Sequence, residues 1–228
     1  MSQTVLTVVN KVLRKLREPE VSTIDGDDGA ELVLDFLNET NKEVQDAFNW
    51  RALQVKTSIA MVASQSQYTI TDTPEGSDIL MVYNQTNNNY LTLSQHDVEE
   101  GLKVASPTEG KPRYYNYAGR DSSGDILIDL YPVPDTTDTL IVTTKSVQGT
   151  LDEVTDLNTV LKMPEYCLFL GAYAKAVAER GEDDSETFNK ADAKYYRALS
   201  DSIALEDSLQ GKVNSEWSND LNTSAIGR

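Results

Sequence analysis

The stretch Leu53-Gln-Val-Lys-Thr-Ser-Ile-Ala-Met-Val62 marks a change of secondary structure within this 228-residue chain. Before it, apolar residues recur every three to four positions, which is the period of an amphipathic helix. From Leu53 onward the period falls to two, and Thr, Val, Ile and Tyr become frequent, as is typical of strands. The sequence therefore predicts helices up to about residue 52 and strands after it.

Two helices precede this change. Apolar residues of the segment 5–16 follow helical spacing, and Pro19 ends the segment because proline cannot continue a helix. The second helix is predicted to run to about Trp50, with Asp28 as its N-cap and Glu31 completing a capping-box-like arrangement. Its predicted buried stripe consists of Leu32, Val33, Phe36, Leu37, Val44, Ala47 and Phe48.

The middle of the chain is predicted to form short strands separated by turn residues, with a short helix at 95–103. Within Asp125-Ile-Leu-Ile-Asp-Leu-Tyr131, every second residue is apolar, so this strand is predicted to bury one face. A series of such strands predicts an antiparallel sandwich or small barrel. The strand candidates are 53–62, 66–71, 79–85, 89–93, 113–118, 125–131 and 139–147.

Helical periodicity returns at Met163-Pro164, where residues 166–178 are apolar almost all round and are predicted to form a central helix. A further helix is predicted from near Ser185 to about residue 210. The predicted fold class is therefore α+β. A helical bundle made from residues 1–52 and 160–210 carries an inserted antiparallel β-sandwich or barrel module at 53–150, and residues 211–228 form an extended C-terminal tail.

Composition limits the partners and the chemistry. The formal net charge of −17 argues against a surface that grips nucleic acid, because such surfaces need clustered Lys and Arg. One cysteine, Cys167, cannot form an internal disulfide, which favours synthesis in a reducing cytoplasm. No apolar run is long enough to span a membrane, and the N-terminus does not have the order of a signal peptide.

No catalytic, cofactor-binding or metal-binding residues are predicted. His96 is the one histidine, and the loop around Asp25 lacks the oxygen ligands and the glutamate that a calcium loop requires. Gly110-Lys111 lacks the upstream glycine of a phosphate-binding loop. Asp125 and Asp129 are interpreted as solvent-facing residues of a strand. The residue chemistry by itself indicates that the protein is not an enzyme.

The residues leave two specific functions open at this point, one enzymatic and one in ligand binding. A hydrolase of cell-wall or surface glycans would need two carboxylates lining a groove in the β-module. A carbohydrate-binding or protein-binding β-module could instead use tyrosines as stacking surfaces, although cross-strand packing also explains them. The tyrosines concerned are Tyr114, Tyr115, Tyr117 and Tyr131.

Several strings, taken in order over about residues 3–210, resemble a known family. They are Val5-Leu-Thr-Val-Val-Asn-Lys-Val-Leu-Arg-Lys-Leu-Arg-Glu-Pro-Glu-Val21, Phe48-Asn-Trp-Arg-Ala-Leu53, Gln67-Tyr-Thr-Ile70, Ile79-Leu-Met-Val-Tyr83, Leu130-Tyr-Pro-Val-Pro-Asp135, Leu140-Ile-Val-Thr-Thr144 and Met163-Pro-Glu-Tyr166. In this order they resemble the head-to-tail adaptors of short-tailed bacteriophages, of the tail tubular protein A type.

The resemblance implies a structural role in the virion, at the interface between head and tail, for a protein made in the host cytoplasm. Members of that family form a dodecameric ring beneath the portal protein. The ring carries the tail nozzle, of the tail tubular protein B type, and often the tail fibres. Double-stranded DNA passes through the ring, and an acidic lumen would repel its phosphates.

The C-terminal segment is the candidate for portal docking. Adaptors of this kind commonly extend such a segment into the portal, and residues 211–228 are mainly polar with isolated apolar residues. Aromatic and aliphatic side chains that become buried at an interface dominate binding energy. Trp217, Leu221 and Ile226 are therefore predicted to anchor the segment in the portal.

Overall fold

The computed structural model describes the backbone of residues 4–182 and 186–224, and the side chains of residues 4–181 and 186–210. The chain divides into two compact units. The helical unit comprises residues 1–52 together with 150–228, and the β unit comprises residues 53–149.

The chain runs from helices through a block of strands, which contains one short helix, and back to helices, as the sequence predicts. A 3-10 turn at Arg51–Leu53 precedes the first strand, and a π-helical turn at Ala178–Glu182 follows the fourth helix. The elements are α1 (Val5–Lys15), α2 (Asp28–Ala47), β1 (Gln54–Ala60), β2 (Gln67–Ile70), β3 (Asp78–Asn84), β4 (Asn89–Tyr90), β5 (Thr92–Leu93), α3 (Gln95–Leu102), β6 (Glu109–Gly110), β7 (Tyr114–Arg120), β8 (Ile126–Tyr131), β9 (Val133–Pro134), β10 (Thr139–Lys145), α4 (Glu165–Val177) and α5 (Glu186–Ser224).

The N-terminus of α2 lies one residue from the predicted position. Asp27, not Asp28, is the N-cap, and its Oδ1 accepts a hydrogen bond from the Ala30 amide at 2.9 Å. Glu31 Oε1 accepts from the Gly26 amide at 2.8 Å. Gly26 adopts a φ of 81°, which turns the chain so that Asp27 is extended and its carboxylate reaches the first helical turn.

The buried face of α2 also differs from the predicted stripe. Val33, Leu37 and Val44 are buried as expected, but Leu32 is 42% exposed and Leu34 is buried instead. Thr40, Asn41 and Gln45 are buried as well. α2 packs against both α1 and α4, so its buried face is wide and includes polar positions that hydrophobic periodicity does not identify.

The β unit is a sandwich of two four-stranded sheets, with strand orders β1-β10-β3-β4 and β2-β8-β7-β5, and β6 and β9 form a separate two-stranded parallel sheet. The pairs within the four-stranded sheets are antiparallel except for β5 with β7. Apolar residues of both sheets form one core, which confirms the predicted α+β class with a sheet module. The core residues are Met61, Tyr68, Ile70, Val82, Leu91, Tyr115, Ile126, Ile128, Leu130, Leu140 and Val142.

The C-terminal segment corrects one expectation. The backbone of α5 remains helical to Ser224, so residues 211–224 are not extended as the sequence analysis expects. Once a helix has formed, each further residue that is fixed adds one hydrogen bond, so extension is much easier than nucleation, and this segment contains no proline. Gly211 costs only about 1 kcal/mol relative to alanine in such a position.

Candidate assembly surfaces

The α4 helix is the centre of the helical unit, as its apolar sequence predicts. It packs against α1, α2 and α5. Gly171 permits a close approach, since a Cβ atom at this position would lie 2.3 Å from Thr40 Cγ2 and 3.0 Å from the Tyr195 ring. The Thr40 hydroxyl is fixed because it donates to the Phe36 carbonyl at 2.8 Å. The α2–α4–α5 packing is therefore tight at this level.

A polar cluster fixes α5 on the other helices. Tyr195 Oη donates to Glu43 Oε2 at 3.1 Å, and Lys175 Nζ donates to Glu43 Oε1 at 2.7 Å. Burial, reinforced by the charge of Glu43, raises the pKa of Tyr195 well above its usual value. Tyr195 therefore remains a neutral hydrogen-bond donor, and the cluster sets the position of α5 along α2 and α4.

A second cluster holds α5 nearer its C-terminal half. Glu206 Oε1 accepts from Arg51 Nε at 2.9 Å and from the Arg51 amide at 3.1 Å. Gln210 Nε2 donates to the Asn49 carbonyl at 2.9 Å. Burial opposes ionisation of Glu206, but the hydrogen bonds and charge of Arg51 outweigh it and lower the pKa of this carboxyl. These contacts hold α5 against the rest of the helical unit as far as Gln210.

The predicted portal anchors lie beyond these contacts. Trp217 and Leu221 fall within the helical backbone of α5, and Ile226 lies outside the described residues. Positions 217 and 221 have the four-residue spacing of neighbours on one helix face. Val213 precedes Trp217 at the same spacing, and sequence reasoning missed it because it treated the segment as extended. The helical backbone therefore adds Val213 to the candidates.

An open groove of about 410 Å³ lies between α1 and α4. Its lining includes Tyr166, which is 62% exposed, and Phe169, whose ring stacks on that of Tyr173 with centroids 6.3 Å apart. Lys15 Nζ lies 5.8 Å from the centroid of the Tyr173 ring. This α1–α4 groove combines aromatic rings with cationic side chains, and aromatic residues and Arg are enriched at protein interfaces.

Carboxylates of distant segments meet at the start of α2. Oxygens of Asp25, Glu31 and Glu153 lie within 4.8 Å of one another. Burial raises the pKa of Glu153, and the like charges of Glu31 and Asp25 raise it further. Asn38 holds this part of the chain in place, because its side chain donates to the Leu151 carbonyl at 3.0 Å and accepts from the Leu151 amide at 2.8 Å. No local pattern in the sequence reveals this convergence.

The tyrosines of the β unit do not form one stacking surface. Tyr115 is buried in the sandwich core at 8% exposure, whereas Tyr117 is 48% exposed. Tyr131 faces Gly101 of α3, where an added Cβ would lie 2.3 Å from its ring. Tyr114 pairs with Tyr131 across the β7–β8 ladder. These positions agree with cross-strand and helix packing better than with a carbohydrate platform.

Asp125, which precedes β8, and Asp129, which lies within it, form hydrogen bonds inside the β unit. Asp125 Oδ1 accepts from the Thr73 amide at 2.9 Å, and Asp129 Oδ1 accepts from Gln67 Nε2 at 3.0 Å. Both residues are half-buried rather than solvent-facing as the sequence analysis expects, because neighbouring loops and side chains cover them. His96 is exposed on α3.

Within the described parts of the chain, no helix has both the length and the apolar character needed to cross a membrane. A protein-family model described as "SU10 adaptor protein" matches residues 3–223, which span both units. A search of curated proteins finds no match.

Proposed function

The chain belongs to the SU10 adaptor protein family, a family of phage structural proteins that become part of the virion, and we propose that it joins the portal ring to the tail nozzle. The observation that carries this proposal is the extent of the family match, since it includes the helical unit, the β unit and most of α5. A structural role requires no catalytic constellation. The positions of the β-unit tyrosines and of Asp125 and Asp129 within the sandwich favour this role over a virion-associated glycan hydrolase or a carbohydrate-binding β-module.

The proposed assembly is a dodecameric ring, as in adaptors of the tail tubular protein A type. The ring would attach to the portal protein on one side and to a nozzle of the tail tubular protein B type on the other, with tail fibres as further partners. The net charge of −17 supports a lumen through which DNA passes without specific binding, because carboxylates repel phosphates.

The C-terminal part of α5 is the proposed portal-docking segment. The polar clusters around Glu43 and Arg51 hold α5 against the bundle as far as Gln210. The residues beyond this point include Trp217, Leu221 and Ile226, which we propose as the anchors. Burial of such side chains in a partner would supply much of the binding energy.

Co-sedimentation with purified portal rings tests the docking proposal. We expect deletion of residues 212–228, or the double substitution Trp217→Ala/Leu221→Ala, to weaken binding at least about tenfold, which corresponds to 1.4 kcal/mol. The matched control is Asn214→Ala/Asn219→Ala, which changes polar residues of the same segment and should bind normally. Thermal unfolding should be unchanged in all variants. Portal binding by the truncated protein at full strength would refute this role of the segment.

A further inference from the structure

The α1–α4 groove is unusual in the charge of its rim. Lys11, Arg14 and Lys15 line it together with the carboxylate of Glu165, which pairs with Lys11. Residues 5–17 contain no acidic residue, although the chain as a whole carries a net charge of −17. The groove is therefore a cationic patch on an acidic protein.

Arg14 is the cation of the groove that a second partner can reach most readily. The Arg14 side chain is 65% exposed, and its ion pair with Glu20, at 3.0 Å, is exposed on both sides. Exposed pairs of this kind contribute about 0 to 1 kcal/mol, so a partner carboxylate can replace Glu20 at little cost. Tyr166 adds an exposed aromatic ring in the same groove.

A surface of opposite charge lies elsewhere on the helical unit. We call it the acidic surface, and its members are Asp25, Glu31, Asp35, Asp152 and Glu153, which interact electrostatically around Glu153. The segments 18–41 and 150–161 that supply it contain no Lys or Arg. Val154, which is 59% exposed, and Leu32, which is 42% exposed, are sequence neighbours of these carboxylates. The acidic surface thus offers both negative charge and apolar side chains.

We propose that the α1–α4 groove of one subunit binds the acidic surface of the next copy of this chain, and that this contact closes the ring. The inference rests on the proposed function, because it names the contact between neighbouring subunits of the proposed ring. A cyclic ring requires a head-to-tail contact in which two different patches of the same subunit meet. The groove and the acidic surface are two such patches.

Charge complementarity is the argument for a second copy as the occupant. Attraction between the groove cations and the carboxylates steers association and fixes its register, and like-charged faces oppose the wrong orientation. Tyr166 on one side and Val154 on the other can exclude water at the centre of the contact. The contact also relieves the repulsion among Asp25, Glu31 and Glu153, which otherwise remain crowded.

Charge reversal tests the pairing on portal rings. Arg14→Glu/Lys15→Glu reverses the groove, and Asp25→Lys/Glu153→Lys reverses the acidic surface. We expect each variant to require at least tenfold more protein than wild type to form a collar, measured as copies per portal by mass photometry. The variant with all four substitutions restores the attraction with opposite signs, so it should form collars near the wild-type concentration.

A matched control and a second variant separate charge pairing from damage to the fold. Lys194→Glu/Arg197→Glu makes the same change of net charge at exposed positions of α5 and should assemble normally. Tyr166→Ser should weaken collar formation without changing the thermal unfolding temperature. Because exposed charges are screened by salt, wild-type collars should also weaken as NaCl rises from about 50 mM to about 500 mM.

The outcomes distinguish failure of the proposed function from failure of the proposed contact between subunits. If wild-type protein forms no collar on portal rings, the proposed function fails. If wild-type protein forms collars and either reversed variant assembles equally well, the function stands and the pairing is overturned. Failure of the variant with four substitutions to recover, with its fold intact, also overturns the pairing.

Discussion

The two units of this protein reach stability by different routes. The β unit is one continuous segment, residues 53–149, and its core is shared by two sheets of neighbouring strands. The helical unit joins residues 1–52 to residues 150–228, so α4 and α5 must find α1 and α2 across the inserted sandwich sequence. The alternation of apolar and polar residues within each strand makes the strands of the first unit predictable, although its sheets pair distant strands such as β1 with β10. The second unit depends on packing between helices from the two ends of the chain.

The two units also differ in the surfaces that they offer for assembly. The candidate portal segment, the α1–α4 groove and the acidic surface all belong to the helical unit. The tyrosines of the β unit that the sequence marks as candidates are largely used in its own packing. Substitutions matched between the units can therefore test whether each unit keeps its own stability.

The largest effect is expected from Leu168→Ala in α4, compared with Leu130→Ala in β8. Both side chains are fully buried, so each substitution leaves a cavity and should cost about 2–5 kcal/mol. Hydrogen exchange measured by mass spectrometry should show lost protection mainly in the helical unit for Leu168→Ala and mainly in the β unit for Leu130→Ala. Equal loss in both units from either variant would contradict separate stabilisation.

A smaller effect is expected from Gly171→Ala compared with Gly101→Ala. At Gly171 the new methyl group meets Thr40, which is buried and hydrogen-bonded, so overpacking should cost about 1–3 kcal/mol. At Gly101 it meets the ring of Tyr131, which is only half-buried, so we expect rotation of this side chain to relieve part of the overlap. Urea unfolding should therefore rank Gly171→Ala as the more destabilising variant, and the reverse order would show that the α2–α4 approach is not tight.

Next is Asn38→Ala, which removes both hydrogen bonds to the backbone of Leu151. Leaving a buried amide and carbonyl without these partners should cost about 1–3 kcal/mol. Asn10→Ala is the matched variant, because Asn10 makes the same pair of hydrogen bonds to Val21. Thermal unfolding should show losses for both. An unchanged unfolding temperature for Asn38→Ala would mean that the 150–161 segment is held by other contacts.

The smallest effect concerns pH and the pair of Arg51 with Glu206. The folded protein lowers the pKa of Glu206 from 4.5, so the stabilisation is fully present above about pH 4.5. It is lost as the pH falls through the lowered pKa, because the folded carboxyl then binds a proton. Arg51→Gln should cost less than about 1 kcal/mol at pH 7. In urea titrations, the difference between wild type and Arg51→Gln should shrink below pH 4.5, and a constant difference would argue against the pair.

Much of the β unit could be predicted from the sequence, because the alternation of apolar and polar residues is a local property of each strand. The strand of Ile126, Ile128 and Leu130 buries the face that the pattern indicates. β1, β2, β8 and β10 fall within the predicted ranges, and β3 begins one residue before its predicted range. α1, α2 and α4 also lie close to where 3.6-residue periodicity places them, whereas the backbone of α5 continues to Ser224, beyond its predicted end near residue 210. Periodicity identifies elements well when each one buries a simple apolar face.

The remaining features depend on tertiary structure or on competing local options. Asp27 and Asp28 are both good N-caps, and the turn at Gly26 selects Asp27. Leu34 replaces Leu32 in the core because α2 contacts two helices at once. Glu153 joins Asp25 and Glu31 from a segment more than a hundred residues away, so the acidic surface is invisible in the sequence.

The mass of the complex formed on a purified portal ring tests the central claim most directly. Multi-angle light scattering or mass photometry should show one collar of twelve copies per portal ring, with cryo-electron microscopy showing twelvefold symmetry of the collar. A portal ring whose mass is unchanged by an excess of the full-length protein would contradict the adaptor assignment at the portal.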